Sequence, residues 1–349
     1  MKKVTTQDIA DALGVSRNTV SKAINNSTGL ADTTRDKILQ KAVEMGYKQF
    51  SYVAMHAQDL TLLAENANKA LKFPAEISVF AAINWGQSHY YALLMLDLLK
   101  QKLEQLGYTL NIFSLDRDDI ALGTLPVSFH KEQTAGIVCI EIFDHAYADM
   151  ICDMGLPTLF LDGPNKRSGY ALAGDQLYMD NTTGITQLVN DMLAKGKNKI
   201  GFIGDYEHCQ SFFERYAAYR CAMLFADVPV NENYIIKANH DFGESLLALP
   251  QLPDLFICAN DFVAGNVVQV LRKMGKSVPE DVLLSGFDDA PESRFITPTL
   301  TTFHIHTQAM TYAACNLLLS RINEPTLNYR TMYTETELIY RDSTKGLML

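Results

Sequence analysis

Long apolar runs, paired cysteines and tryptophan are scarce in this sequence of 349 residues. No apolar run reaches the roughly eighteen residues that a membrane-spanning helix needs, so we expect no such helix. The opening Met-Lys-Lys-Val-Thr-Thr turns polar at once, and we therefore expect no secretory leader. The six cysteines include no Cys-x-x-Cys pair, which argues against a disulfide framework and a zinc site. These absences exclude membrane, secreted and zinc-finger proteins, and we expect a cytoplasmic globular chain.

The charge is distributed unevenly along the chain. The whole sequence carries a net charge of −10, whereas residues 1–50 hold eight Lys or Arg and only five Asp or Glu. A small basic end on a large acidic body is typical of a tethered nucleic-acid-binding module. A balance of +3 is a weak signal by itself, because many solvated helix faces carry as much. The pattern of residues in this segment therefore has to decide whether it binds nucleic acid.

Three short helices are predicted in the first fifty residues. Thr5 or Thr6 can cap the first helix, which Gly14 ends. Ser16 then caps a second helix that extends to about Asn25, and a third helix follows. A helix pair joined by a tight glycine turn is a helix-turn-helix.

The second predicted helix has an exposed face that suits DNA, since it contains no acidic residue. Arg and Lys can reach guanine in the major groove, and Asn can pair with adenine. Hydroxyl and amide side chains suit phosphate oxygens. A merely solvated face of a small helical bundle remains the alternative. The candidate DNA-binding residues are Thr5, Thr6, Ser16, Arg17, Asn18, Thr19, Ser21, Lys22 and Asn25.

The remainder of the chain alternates short apolar strands with helical patterns. The predicted strands are Ile77–Ile83, Leu110–Leu115, Gly136–Ile142, Thr158–Asp162, Ile200–Gly204, Tyr234–Ala238, Leu255–Ala259 and Val282–Phe287. Such alternation predicts an α/β body of two doubly wound parallel sheets, that is, two lobes with a cleft between them. Open sheets of this kind bind ligands beyond the carboxyl ends of their strands.

Two sets of motifs resemble the LacI/GalR family of bacterial transcription regulators. Its headpiece is similar to Val4-Thr5-Thr6-Gln7-Asp8-Ile9-Ala10 followed by Gly14-Val15-Ser16-Arg17-Asn18-Thr19-Val20-Ser21-Lys22. Its periplasmic-binding-protein-like body is similar to Glu214-Arg215, Ala259-Asn260-Asp261 and Gly286-Phe287-Asp288-Asp289. The resemblance implies that Arg17, Asn18 and Lys22 read bases, while Thr5, Ser16, Thr19, Ser21 and Asn25 touch the DNA backbone.

The resemblance also implies a division of the chain. The headpiece spans 1–49, a linker 50–74, and an effector-binding and dimerisation domain 75–343, with a first lobe at about 75–162 and 289–320 and a second at about 163–288 and 321–343. The linker departs from the family, because it lacks the Pro-Asn pair and the Ala-Arg-x-Leu of a hinge helix. Either Met55 or another apolar residue wedges into the minor groove, or the operator is bent differently.

A sugar ligand needs bidentate partners for vicinal hydroxyls and a flat apolar surface for its ring. Asp288 would accept hydrogen bonds from two hydroxyls, and Arg215 would donate two in a fixed fork. A salt bridge of Arg215 with Glu214 and a helix-capping role for Asp288 are the alternatives. Core packing is the alternative for the aromatic candidates. The candidate effector-binding residues are Asn84, Trp85, Asp162, Phe213, Arg215, Asn260 and Asp288.

The expected function is ligand-controlled regulation of transcription, more often as a repressor. The expected partners are double-stranded operator DNA, a small-molecule effector (a sugar in preference to a purine) and a second copy of the chain, with a tetramer as an option. No cofactor, metal or catalytic constellation is expected. A solute-binding protein would share the two-lobed body but not the helix-turn-helix, and an enzyme on this scaffold would need catalytic groups that the sequence does not display.

Overall fold

A small helical domain precedes a two-sheet α/β body in the computed structural model, which describes residues 4–24, 30–45, 47, 63–66, 76–82, 90–166, 169–238 and 242–347. The helices are α1 (Thr6–Leu13), α2 (Arg17–Ile24), α3 (Asp32–Glu44), α4 (Tyr90–Gln105), α5 (Arg117–Leu122), α6 (His145–Asp153), α7 (Thr183–Ala194), α8 (Gln210–Phe225), α9 (Phe242–Leu247), α10 (Asp261–Lys273) and α11 (Thr307–Asn323). The strands are β1 (Glu76–Ala81), β2 (Thr109–Ser114), β3 (Thr134–Ile140), β4 (Thr158–Leu161), β5 (Asp175–Met179), β6 (Ile200–Ile203), β7 (Ile235–Ile236), β8 (Leu255–Cys258), β9 (Leu283–Ser285), β10 (Thr302–Ile305), β11 (Thr331–Thr334) and β12 (Thr336–Ile339). No helix in these ranges is long and apolar enough to cross a bilayer.

Local capping defines the helix-turn-helix. Thr5 begins α1 with a capping box, in which its hydroxyl accepts from the Asp8 N–H and its own N–H donates to the Asp8 carboxylate at 2.7 Å. Gly14 ends α1 in the left-handed region, at φ 66°. Two residues later the Ser16 hydroxyl accepts from the Thr19 N–H at 3.0 Å and caps α2. The predicted glycine turn between two helices is confirmed.

One apolar cluster holds the three N-terminal helices together. Its buried members are Ile9, Ala10, Val20, Ala23, Ile24, Ile38 and Ala42. They come from the inward faces of α1, α2 and α3, where apolar residues recur at helical spacing. The polar face of α2 is therefore left outside this core.

The first sheet of the body has six parallel strands in the order β11-β5-β4-β3-β1-β2. Its central strands are buried on both faces and read as continuous apolar runs, as parallel strands covered by helices do. Helix α11 packs against α4 and against β3, β4 and β5. This sheet and its helices form the first lobe.

The second sheet has four parallel strands in the order β7-β6-β8-β9. The chain passes from the first sheet to the second after β5, back to the first lobe after β9, and again to the second lobe after β11. The antiparallel pair β10–β12 lies at these later crossings, with Thr302 opposite Ile339. The expected α/β body with two parallel sheets is confirmed.

Two strands lie in the other lobe from the one expected. Strands β5 and β11 fall within the segments assigned to the second lobe, yet both belong to the sheet of the first. The reason is a buried carboxylate: Asp175 on β5 binds Arg321 of α11 at 2.8 Å and Arg330, next to β11, at 2.7 Å. These ion pairs fasten both strands to the first lobe, so the expected lobe boundaries are wrong at these two places.

Candidate functional site

The outer face of α2 presents three exposed side chains, Arg17, Asn18 and Lys22. Helix α2 contains no acidic residue, so nothing on its own surface neutralises the two cations. The Arg17 Nε donates to the Thr6 hydroxyl at 3.2 Å and joins the start of α2 to the start of α1. The side chains expected to read bases thus form one basic and amide-bearing surface.

The hydroxyl candidates of the helical domain cap its helices. The Thr5 hydroxyl donates to the Asp8 carboxylate at 2.6 Å, and the Ser16 and Thr19 hydroxyls lie 2.7 Å apart. Because helix starts also expose free N–H groups, these positions suit a phosphate through the backbone as well as through the hydroxyl. Ser21 is partly buried on α2, and Asn25 lies outside the described residues.

The base-reading face is turned toward the body. Arg17, Asn18 and Ser21 line a cavity of about 550 Å³ together with His304 and Arg341 of the body. A DNA duplex does not fit into a cavity of this volume. A duplex can therefore reach this face only if the helical domain takes a different position relative to the body.

Polar residues follow the carboxyl ends of strands in both sheets. Glu141 follows β3, Asp162 follows β4, and Asn181 lies just after β5; in the second sheet Asp288 comes soon after β9. Three of these residues hold a backbone φ in the left-handed region: Glu141 at 59°, Asp162 at 59° and Asp288 at 111°. Non-glycine residues with such φ values are uncommon and concentrate at functional sites. We therefore take this edge of the two sheets as the cleft.

Arg215 of α8 is the buried cation of the cleft, with a side chain only 3% exposed. Its Nε donates to the Asn181 Oδ1 at 2.9 Å and its Nη1 to the Ala259 carbonyl at 2.6 Å. The guanidinium lies over the Phe287 ring, 3.5 Å from the centroid. Arg215 is therefore held rigidly by the second lobe and by Asn181, and among the described residues no acceptor contacts its Nη2.

Asp288 lies beside this guanidinium, with 3.8 Å between its Oδ1 and the Arg215 Nη1. Burial raises the pKa of Asp288 to about 7, Arg215 opposes the rise, and the charges of Glu141 and Asp162 add to it. A carboxylate with one long ionic contact and a raised pKa has unused accepting capacity. It is suited to accept hydrogen bonds from ligand hydroxyl groups.

Asp162 provides a second carboxylate from the first lobe. Burial raises its pKa to about 6, while a hydrogen bond from the Gly163 N–H, at 2.8 Å, works in the opposite direction. The Tyr91 hydroxyl lies near both carboxylates, and burial together with their charges raises the pKa of this phenol. Tyr91 therefore stays protonated and remains a neutral polar group in the cleft.

The two lobes touch at the edge of the cleft. The Phe143 ring, after β3, meets the His208 ring, after β6, edge to face at 4.8 Å between centroids. The Asn165 Nδ2 donates to the Tyr206 carbonyl at 3.0 Å, and the Gln210 N–H donates to the Gly163 carbonyl. Burial lowers the pKa of His208, so this ring contact is made by a neutral imidazole.

Several expected roles change once the side chains are placed. The ring of Phe212, and not that of Phe213, lies near Arg215, with 5.5 Å between the ring centroid and the Arg215 Cζ. The reason is helical phase: residues three apart share a face of α8, whereas residues two apart do not. Asn260 caps α10 through its Oδ1, which accepts from the Val263 N–H at 2.9 Å, so only its amide nitrogen is left for a ligand.

The fork expected of Arg215 is largely committed to the protein. Its Nε and Nη1 each donate to a protein acceptor, so a ligand can use only the remaining N–H groups of Nη1 and Nη2. The alternatives for these residues also fail. The Glu214 carboxylate binds Asn181, Gln210 and Tyr333, and the N-cap residue of the helical turn that follows Asp288, Pro291–Arg294, is Ala290. Asn84 and Trp85 lie outside the described residues.

Sequence reasoning missed four residues of this site: Tyr91, Glu141, Asn181 and Phe287. A signal existed for two of them, since Glu141 lies near the end of the predicted strand Gly136–Ile142 and Asn181 follows the observed β5. Phe287 was visible only as part of a motif, and its stacking on Arg215 needs the fold. Among the described residues no group of three or more His, Cys, Asp or Glu side chains is arranged to hold a metal ion.

Two family models match this chain in separate regions. A model described as bacterial regulatory proteins, lacI family, matches residues 5–49, which contain the helix-turn-helix. A model described as a periplasmic binding protein-like domain matches residues 189–344, which contain the second sheet and the crossings.

Relatives cover nearly the whole chain. The probable HTH-type transcriptional repressor ExuR of Bacillus subtilis (strain 168) is 26% identical over 356 residues, with 99% of each chain covered. The ribose operon repressor of Haemophilus influenzae is 25% identical and spans 98% of this chain and 99% of its own length. Among solved structures, a transcriptional regulator CelR–cellobiose complex matches the fold with a TM-score of 0.66 at 22% identity, covering 97% of this chain and 99% of that chain. The lac repressor dimer bound to operator and the anti-inducer ONPF matches with the same TM-score at 19% identity, covering 98% and 99%.

A helix-turn-helix domain joined to a two-lobed α/β body with a polar cleft defines a class of DNA-binding transcriptional regulators with a ligand-binding body. The family models and the full-length relatives narrow this class. The chain carries a lacI-family DNA-binding domain at residues 5–49 and a periplasmic binding protein-like domain at residues 189–344, and it is a sequence-specific DNA-binding transcriptional regulator.

Proposed function

We propose that this protein is a cytoplasmic repressor that binds a near-palindromic operator as a homodimer and is controlled by a sugar in the cleft. The observation that carries the DNA-binding part is the exposed, acid-free face of α2 with Arg17, Asn18 and Lys22. Two copies of such a helix, related by a two-fold axis, read two half-sites about 34 Å apart.

The operator can be found with the full chain and a pool of random duplexes. We expect the selected sequences to share two inverted half-sites whose centres lie about one helical turn, or a multiple of it, apart. Binding of a single unpaired half-site with equal affinity would contradict the dimeric mode. Size-exclusion chromatography with light scattering distinguishes a dimer from a tetramer in the same preparation.

The carboxylates of the cleft are the reason for proposing a sugar. Asp162 is buried and Asp288 is half-buried, both lie at strand ends, and the Asp288 Oδ1 lies 3.8 Å from the Arg215 Nη1. Ligand hydroxyls can donate to carboxylates of this kind in bidentate fashion. Ligand titrations of the protein–operator complex with a series of sugars test the assignment, and a change in operator affinity is the expected result.

A purine is the second candidate, because curated relatives of similar identity include the HTH-type transcriptional repressor PurR of Haemophilus influenzae (strain PittEE), at 25%. A purine needs flat aromatic faces for stacking. Within the described cleft the Phe287 ring is already taken, by Arg215 and by Phe303 at 4.8 Å. This favours the sugar, and hypoxanthine and guanine belong in the same titration series as the competing outcome.

A further inference from the structure

One face of α8 binds the chain where it first crosses between the lobes, just after β5. The side-chain nitrogen of Asn181, which is fully buried, donates to the Ser211 hydroxyl at 3.2 Å and to the Glu214 carboxylate at 2.8 Å. The side-chain oxygen of Asn181 accepts from the Arg215 Nε. Ser211, Glu214 and Arg215 are three and four residues apart, so they share one face of α8. The first crossing is therefore fixed to α8 through both polar atoms of one amide.

The Glu214 carboxylate also binds the sheet of the first lobe. Its Oε1 accepts from the Tyr333 hydroxyl at 2.7 Å, and Tyr333 lies on β11, an edge strand of that sheet. The Tyr333 ring stacks on the ring of buried Tyr178, with 5.5 Å between the centroids. Burial and the hydrogen bond to Glu214 both raise the pKa of Tyr333, so the hydroxyl keeps the proton that it donates. A helix of the second lobe is thus bound directly to a strand of the first.

The crossings after β5 and after β11 lie side by side. The Asp180 N–H donates to the Thr334 carbonyl at 2.7 Å, and the Thr336 hydroxyl donates to the Asp180 carbonyl at 2.8 Å. These bonds make the two crossings one hinge, about which the lobes can rotate. Asn181 lies in the hinge itself, whereas Tyr333 belongs to the first sheet. Rotation of the lobes therefore stretches the bond from Tyr333 to α8 while the bonds of Asn181 can stay in place.

We propose that the hydrogen bond from Tyr333 to Glu214 is an interlobe latch, which holds the lobes in the closed arrangement where their edges touch. In this arrangement the Gln210 N–H, one turn before Glu214 on α8, donates to the Gly163 carbonyl of the first lobe at 3.1 Å. Tyr333 is 49% exposed, so water can replace the bond at low cost when the lobes open. The role of the latch in regulation rests on the proposed function, because a ligand in the cleft acts by selecting one lobe arrangement.

Hydrogen–deuterium exchange of the full chain, read at single residues and without any added ligand, tests the latch. The Gln210 N–H is freed when the lobes separate at their edge. The Ile137 and Leu283 N–H groups, bonded within the first and the second lobe at 2.8 and 2.9 Å, report the unfolding of each lobe instead. Tyr333→Phe keeps the stacked ring and removes only the hydroxyl. We expect the Gln210 amide to exchange severalfold faster in this variant, while the other two amides keep their wild-type rates.

Tyr340→Phe is the matched control. The Tyr340 hydroxyl donates to the Asp191 carboxylate of α7, so this variant loses the same kind of bond within the second lobe. Exchange at Gln210 should match the wild type in this control. The latch is wrong if Tyr333→Phe leaves the exchange of Gln210 unchanged, if all three amides accelerate equally, or if Tyr340→Phe accelerates Gln210 as much.

These outcomes are independent of the proposed function. Because no sugar is added, failure of the latch leaves the sugar effector and operator binding in place. Conversely, a titration series in which no sugar changes operator affinity would overturn the sugar effector and leave the exchange result of Tyr333→Phe intact.

Discussion

Two adjacent aspartates meet opposite electrostatic environments. Asp288 faces the cleft with a single ionic contact of 3.8 Å, and burial raises its pKa to about 7. Asp289 points the other way and binds Arg294 at 2.7 Å, His304 at 3.0 Å, and Arg341. Its hydrogen bonds with His304, Arg341 and Arg294 hold the pKa of Asp289 well below its usual range despite its burial. Only Asp288 changes its charge near neutral pH.

Ligand affinity should therefore depend on pH. The groups that act on Asp288 are Glu141, Asp162 and Arg215, and the first two raise its pKa. Ionised Asp288 accepts hydrogen bonds at both oxygens, so the affinity for an uncharged sugar should rise between pH 6 and pH 8, around the pKa of about 7. Calorimetry across this range measures the effect. In Asp288→Asn the part of the rise centred near pH 7 should disappear, and only the part that Asp162 contributes near pH 6 should remain. An unchanged profile in that variant would assign the titration to another group.

Two cleft variants should separate ligand contact from structural support. Arg215→Ala leaves the Asn181 oxygen and the Ala259 carbonyl without their donor. It should therefore lower the free energy of unfolding by about 1–3 kcal/mol for each unpaired group, and with it the thermal midpoint. It should also lower ligand affinity. Asp288→Asn should lower ligand affinity alone.

The stability of Asp288→Asn at different pH values provides the control. A raised pKa means that the folded state holds the proton more tightly than the unfolded state does. The contribution of Asp288 to stability therefore falls as the pH rises from the ordinary pKa of an aspartate to the raised pKa of about 7. At pH 8 the variant should be as stable as the wild type or more stable. A large loss of stability at pH 8 would mean that Asp288 supports the fold.

The strand pair β10–β12 connects the cleft with the part of the body that faces α2 across the cavity described above. The Asp288 N–H donates to the Phe303 carbonyl of β10 at 3.1 Å, and His304 on the same strand binds Asp289. Arg341 follows β12 and binds the other oxygen of Asp289. One buried carboxylate thus joins both strands to the loop that bears the cleft aspartate.

Removing this carboxylate should loosen the crossings between the lobes. Asp289→Asn leaves three cationic partners without their shared acceptor, and breaking a buried ion pair from one side costs about 3–5 kcal/mol. Urea unfolding measures the loss. Asp281→Asn, which breaks an exposed pair with Lys276 at 3.0 Å, is the control and should leave the midpoint nearly unchanged. Equal effects of the two variants would contradict a structural role for the Asp289 cluster.

Elements with a regular apolar pattern were predictable from the sequence, and those without one were not. Strand β8 begins and ends within one residue of its predicted position, Leu255–Ala259. Helix α11 was not predicted, because it is buried on most of its surface and lacks the polar face that reveals a helix. Strand β5 begins with buried Asp175, whose charge is explained only by Arg321 and Arg330, which lie about 150 residues further along the chain.

The site residues likewise divide into those that the sequence could predict and those that it could not. Resemblance to the family supplied Arg215 and Asp288, while the chemistry of each side chain depends on neighbours distant in sequence, such as Asn181 for Arg215. Phe213 was a local error that helix periodicity could have corrected in favour of Phe212. Glu141 stood at a predicted strand end and could have been found by the argument that led to Asp162.

At the scale of the whole molecule, two binding surfaces lie on parts that must move relative to each other. The cleft lies between the lobes, and the helical domain carries the DNA-reading face of α2. A ligand changes DNA affinity only if it favours one lobe arrangement, and such coupling is typically 1–3 kcal/mol. A dimer must hold its helical domains about 34 Å apart to reach both half-sites. Small lobe rotations can therefore improve or disrupt that spacing.

The segment 50–74 should transmit these rotations. A flexible Gly/Ser insertion there is expected to preserve effector binding and the folding of the helical domain, but to abolish the effect of the effector on operator affinity. Fluorescence anisotropy with a labelled operator, with and without the effector, measures the coupling. An insertion of equal length next to Val127, whose side chain is fully exposed, serves as the control. An insertion variant in 50–74 whose operator affinity still responds fully would contradict this mechanism.

The central claim is that the exposed face of α2 reads operator bases, and operator affinity across single-base variants of the selected site tests it most directly. Asn18→Ala and Lys22→Ala should each lose discrimination at particular base pairs, at a cost of about 1–3 kcal/mol, while Ser16→Ala should weaken binding to all duplexes evenly. If Asn18→Ala and Lys22→Ala bind every duplex as the wild type does, α2 does not read the operator and the account is wrong.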